Sequence, residues 1–183
     1  MLKVLCPDIV KDYRFPRVIR KPKILPSKEQ LKTFYNALPD KYKGIFLALA
    51  SSGLRVSELL SADIDTSNRM LIPQARTGST KHAWVSFYNK ESAALVEKGF
   101  PQITVDGLSH VFKKVSKKTD IRIYPHLLRA IFAGEMSRAG VADRYIDAFC
   151  GRVPQSVLAR HYSDFSPEVL KEIYEKANLR YFS

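Results

Sequence analysis

The sequence predicts a mostly helical α+β domain with one small antiparallel β-hairpin. Apolar residues recur at three- and four-residue spacing through most of the chain, the mark of amphipathic helices. Gly53, Gly140 and Gly151 suit helix ends, and Pro125 and Pro167 suit first turns. One stretch alone, Met70 to Tyr88, holds two short apolar runs around a glycine-containing turn.

Residues 1–26 are basic and punctuated by Pro7, Pro16, Pro22 and Pro26, with Arg17, Arg20, Lys21 and Lys23 among them. They form an expected arm or linker that can lie along a DNA backbone or join an upstream domain. The first helix starts at Ser27, where Gln30 three residues on completes a capping box. Leu31, Phe34, Tyr35 and Leu38 share its inner face. A second helix runs from about Asp40, buries Tyr42, Ile45, Phe46 and Leu49, and ends at Gly53. Arg55 opens a short helix on which Glu58 shares its face three residues later.

Two strands, Met70 to Gln74 and Ala83 to Tyr88, flank a turn that presents Arg76 and Lys81. The next helix begins near Asp106, with Leu108, Val111, Phe112 and Val115 inward and Lys113, Lys114, Lys117 and Lys118 outward. Pro125 begins another, burying Leu128, Ile131, Phe132 and Met136. A shorter helix covers Asp143–Phe149, and Pro154 can start one more turn. Ser166-Pro167-Glu168 then caps a last helix with Val169, Leu170, Ile173, Tyr174 and Ala177 at helical spacing.

At 183 residues, 45% of them apolar, the chain is one domain with ample core, or one and a small appendage. Thirty Lys+Arg against eighteen Asp+Glu give a formal charge of +12, which calls for a polyanionic partner, nucleic acid first. Cys6 and Cys150 have neither metal-ligand nor disulfide-framework spacing, so no metal and no cofactor is expected. No apolar run has the length of a membrane span or of a signal peptide. A cytoplasmic protein follows as the expectation, in the host cytoplasm or nucleoid if the chain is viral.

His126 and Arg129 stand three apart at the start of a helix, so they project from one face. Backbone N–H groups and the positive end of the helix dipole lie close by, which suits a phosphate. Either residue alone is an ordinary surface or capping group, and so is Arg55 or any one of nine tyrosines.

Their order and spacing carry more. Gly53-Leu54-Arg55-Val56-Ser57-Glu58-Leu59 after an apolar helix, a basic glycine-containing hairpin, His126-Leu127-Leu128-Arg129, then Cys150-Gly151-Arg152 and Tyr162 resemble the tyrosine recombinase, or phage integrase, family. The resemblance spans roughly residues 25–175, and its look is closest to the integrases of archaeal spindle-shaped viruses.

It implies a catalytic domain over residues 27–165. The tail, 166–183, would be available for exchange between protomers. It implies a shortened form, truncated or natural, of enzymes that usually carry an N-terminal DNA-binding domain. Arg55 and Arg129 would bind the scissile phosphate, since a planar, permanently charged fork contacts two non-bridging oxygens at once. Tyr162 would be the nucleophile and form a 3′-phosphotyrosine, with His126 accepting or orienting its proton. Lys81 would protonate the leaving 5′ oxygen. Arg76 is the alternative, though its pKa makes it a poor donor.

Arg152 stands where the family usually has histidine or tryptophan, and it can hold a phosphate oxygen without shuttling protons. Tyr162 lies one residue further on than is common, which puts His161 in the usual slot. The partners implied are double-stranded DNA and other copies of the chain, a tetramer on DNA that is weak or absent without it. The rival readings are a type IB topoisomerase and a DNA-binding protein without catalysis.

Overall fold

The computed structural model describes residues 24–74, 85–152 and 163–182. In chain order the elements are α1 (Lys28–Ala37), α2 (Asp40–Ser52), α3 (Val56–Leu60), β1 (Ala62–Asp65), β2 (Met70–Pro73), β3 (Ser86–Phe87), α4 (Lys90–Val96), α5 (Val105–Thr119), α6 (Pro125–Arg138), α7 (Asp143–Phe149) and α8 (Pro167–Ala177). The class is the one expected, mostly helical with a small antiparallel sheet.

Local chemistry sets several boundaries. Ser27 and Gln30 form the reciprocal capping box at the start of α1. Thr104 caps α5 through the backbone N–H of Gly107, so the helix starts at Val105, one residue before the expected position. Pro125 occupies the first turn of α6. Gly53 ends α2 at φ 68°, a left-handed conformation that costs an L-residue about 1–2 kcal/mol. Ser166 sits at the cap of α8, but its hydroxyl makes no capping bond; Asp164 instead accepts from the Ser166 N–H at 2.8 Å.

The sheet has the order β1-β2-β3, all antiparallel. β2 pairs with β3 as expected, Met70 opposite Phe87 and Leu71 opposite Ser86. β1 is an addition, running from Ala62 opposite Pro73 to Asp65 opposite Met70. Its Ala-Asp-Ile-Asp sequence has little strand propensity, so pairing with β2 decides its conformation. Helix α4 is a second addition, capped by the Asn89 side chain on the N–H of Ser92.

Helix α2 is the axis of the core. All nine residues from Gly44 to Ser52 are buried, and α2 packs on both α4 and α6. Phe34, Phe46 and Phe112 bring α1, α2 and α5 together, with ring centroids 5.4 to 6.1 Å apart. On the other side Phe87, Phe132, Phe149 and Tyr174 join β3, α6, α7 and α8. Each such fully buried side chain contributes about 1.5–3 kcal/mol.

The segment after α8 packs on its own chain. Leu179 and Tyr181 are buried, as are Leu170 and Tyr174 of α8 itself. Glu91 accepts from the backbone N–H groups of Tyr181 and Phe182, and Asn89 donates to the Leu179 carbonyl at 3.1 Å.

Candidate active site

The site is built on the C-terminal end of α2. The last carbonyls of a helix have no partner within it, and here they are buried, so each needs a donor from elsewhere. Four distant side chains supply them. Tyr181 Oη donates to the Ala50 carbonyl at 2.5 Å and Tyr174 Oη to that of Ser51 at 2.8 Å. Ser86 Oγ donates to Ser52 at 2.6 Å, and Arg129 Nη1 to Gly53 at 2.8 Å. The tail, the sheet and α6 thus converge on the turn that carries Arg55.

Gly53 lets that turn approach α6. A Cβ there would stand 2.3 Å from a ring carbon of Phe132, well inside contact distance. The Gly-Leu-Arg sequence therefore reflects two needs at one position, a left-handed backbone and close helix packing.

Glu58 then holds two cations. Its Oε2 accepts from the Arg55 backbone N–H at 2.8 Å, and its Oε1 accepts from the Arg55 guanidinium. The same Oε2 lies 3.8 Å from Arg129 Nη1. One carboxylate so places the arginine that opens α3 beside the arginine from the first turns of α6.

The two differ in environment. Arg55 is partly exposed, whereas Arg129 is only 2% exposed, and its Nε and Nη2 have no hydrogen-bond partner among the described residues. Burial lowers the Arg129 pKa, and the nearby positive charges of Arg55 and Arg152 lower it further; Glu58 opposes them. Even lowered, a guanidinium stays charged at neutral pH. A buried cation with orphaned donors is costly unless an anion completes it.

Cys150 and Arg152 lie beyond Arg129. Burial raises the Cys150 thiol above its usual value, so it forms a neutral wall beside the guanidinium. Arg152 is half exposed and sits 3.3 Å from Asp147 of α7. Among the described residues three guanidiniums therefore face two carboxylates, a net positive set. His126, exposed on the first turn of α6, lines a cavity of about 640 Å³ together with Arg55.

The fold brings Arg55, His126, Arg129 and Arg152 into one region. Lys81, its alternative Arg76, and Tyr162 lie outside the described residues, as does His161. Two other tyrosines are removed as nucleophiles, because Tyr174 and Tyr181 are buried and bonded to α2, with pKa values pushed up by burial. Glu58 matters more than its i,i+3 spacing to Arg55 signals. Its approach to Arg129 comes from a distant part of the chain.

This architecture is that of the catalytic domains of tyrosine recombinases. A crystal structure of XerA recombinase matches it with a TM-score of 0.60 at 21% identity, over 93% of this chain and 71% of that one. The Tn1549 transposon integrase in complex with circular intermediate DNA matches with a TM-score of 0.64 at 16% identity, over 88% and 68% of the two chains.

The archaeal phage integrase family model matches residues 23–178. The chain belongs to that family. It is 27% identical over 184 residues to tyrosine recombinase XerA of Thermococcus onnurineus, covering 86% of this chain and 65% of the relative. Tyrosine recombinase XerA of Saccharolobus solfataricus is 30% identical over 139 residues, 69% of this chain and 47% of the relative. The chain spans about two-thirds or less of the length of these relatives.

Proposed function

We propose that this chain is the catalytic domain of a site-specific DNA recombinase that cuts and rejoins strands through Tyr162, without a metal. The observation that carries the reading is Arg129, buried beside Arg55 on a shared carboxylate with two donors that have no partner among the described residues. A phosphodiester supplies that anion. Charge on its non-bridging oxygens grows as phosphorus becomes five-coordinate, so fixed cations favour the transition state over the ground state.

In the step itself, Tyr162 Oη forms a bond to phosphorus as the bond to the 5′ oxygen breaks. The phenol proton passes to His126, and Lys81 gives a proton to the departing 5′ oxygen. Rejoining is the reverse, with the 5′ hydroxyl attacking the phosphotyrosine. Arg152 adds a hydrogen bond to the phosphate and no proton transfer. Two strands at two sites require several protomers, so a tetramer assembles on double-stranded DNA, in the compartment that holds the DNA.

The experiment uses a nicked duplex whose cleavage releases a short fragment and so traps the intermediate. Wild type is expected to give a protein–DNA adduct stable in SDS and formed in the presence of EDTA. Arg55→Ala and Arg129→Ala should each slow it by about a hundredfold or more. An adduct that forms only with added divalent metal, or at an unchanged rate in both variants, contradicts the proposal.

A further inference from the structure

The cavity that Arg55 and His126 share lies between α3, the outer face of α5 and residues 121–126, and Arg129 is not on its lining. Its composition is unusual for a basic surface. Val105 and Tyr124, at 43% and 39% exposure, line it, and they are two of the three exposed large hydrophobic residues among those described. Lys113 and Arg122 stand on the same lining, and among the described residues no aspartate or glutamate does. An apolar wall and a cationic rim of this kind match a group with one flat apolar face and a phosphate on either side.

The wall is held in place. Ser116 Oγ donates to the Ile123 carbonyl at 3.0 Å, and the Ile123 N–H lies 3.3 Å from the same oxygen. That pair ties the connecting segment that carries Arg122 and Tyr124 to α5. Tyr124 is also the residue at the cap of α6, two before His126, so its position is coupled to that of the histidine. A volume of about 640 Å³ is in the range that encloses a small-molecule-sized group.

We propose that this cavity receives the nucleoside next to the phosphate held by Arg55 and Arg129. Its base lies against Tyr124 and Val105, and Lys113 and Arg122 hold the following phosphate of the same strand. The inference rests on the reading of the site as one that acts on DNA, and adds a specificity element to it. Unstacking one nucleotide beside the scissile phosphate opens room for the attack, and the enzyme recovers the lost stacking on its own aromatic ring. Tyr124 and Val105 are positioning and recognition residues in this arrangement, while the phosphate chemistry stays with the residues already described.

The test begins with a duplex enriched from a random-sequence pool by binding to the full chain. Copies of that duplex, each with one abasic nucleotide, are then compared for binding by wild type, Tyr124→Ala and Tyr124→Phe. For wild type, an abasic position next to the cleaved phosphate should change binding by less than about threefold, because the ring contact it loses is offset by the unstacking it saves. Tyr124→Phe should behave the same way. Tyr124→Ala should bind the intact duplex about tenfold more weakly and regain most of that loss at the abasic position alone. Lys113→Ala and Arg122→Ala should leave the abasic profile unchanged and each lower the slope of log affinity against log salt by about one. An enriched duplex with the same abasic profile for wild type and Tyr124→Ala overturns this inference alone. A pool that enriches no duplex overturns it together with the DNA reading beneath it.

Discussion

Replacing Arg129 by methionine separates the cost of the site from its use. The wild-type side chain holds a buried charge with Nε and Nη2 unpaired among the described residues. Each buried unsatisfied donor costs about 1–3 kcal/mol. Methionine removes both donors and the charge while keeping most of the apolar stem. Against this, the Gly53 carbonyl loses its donor, at a similar cost of about 1–3 kcal/mol, and Glu58 keeps only Arg55. Two relieved donors outweigh one orphaned acceptor, so Arg129→Met should be as stable as wild type or more stable by about 0–3 kcal/mol.

Urea denaturation measures this as an unchanged or raised midpoint at constant slope. The trapped-adduct rate should meanwhile fall by about a hundredfold or more. If the variant instead loses more than about 2 kcal/mol, the guanidinium is a structural tie and the argument that it is held against stability fails.

Other perturbations probe the supports. Gly53→Ala forces a left-handed residue into the Phe132 ring and should cost about 2–4 kcal/mol in urea midpoint terms; a loss below about 0.5 would contradict the packing argument. Tyr174→Phe and Tyr181→Phe each orphan a buried α2 carbonyl and should destabilise by about 1–3 kcal/mol, again read by denaturation. Both phenols have folded-state pKa values raised above the unfolded value near 10, by burial first. Their contribution is therefore fully present below about pH 10 and lost as pH rises through the folded values. The midpoint should drop steeply there, and less in the double phenylalanine variant. Glu58→Gln leaves Arg55 and Arg129 without their shared carboxylate, so the adduct rate should fall about tenfold or more while salt-dependent DNA affinity changes little.

What the sequence discloses is mostly local. Ser27 with Gln30, Pro125 at a first turn and Gly53 at a helix end are legible because their partners lie within a turn. The Arg55–Glu58 pair is legible for the same reason. β1 is not, because its pairing with β2 overrides a poor strand sequence. Nor are the four donors on the α2 carbonyls, which come from 34 to 131 residues away and leave no periodic trace. The same holds for the approach of Arg129 to Glu58 and for Cys150 as the neutral wall behind it. The pair Arg55 and Arg129 is visible as residues, and its electrostatic poise only as structure.

The central claim is that the phosphate held by Arg55 and Arg129 is attacked by Tyr162. The most direct measurement is digestion of the trapped protein–DNA adduct and mass spectrometry of the peptide that carries the nucleotide. The account predicts a nucleotide mass on Tyr162 and no adduct from Tyr162→Phe. A nucleotide on any other residue, or an undiminished adduct from Tyr162→Phe, contradicts it.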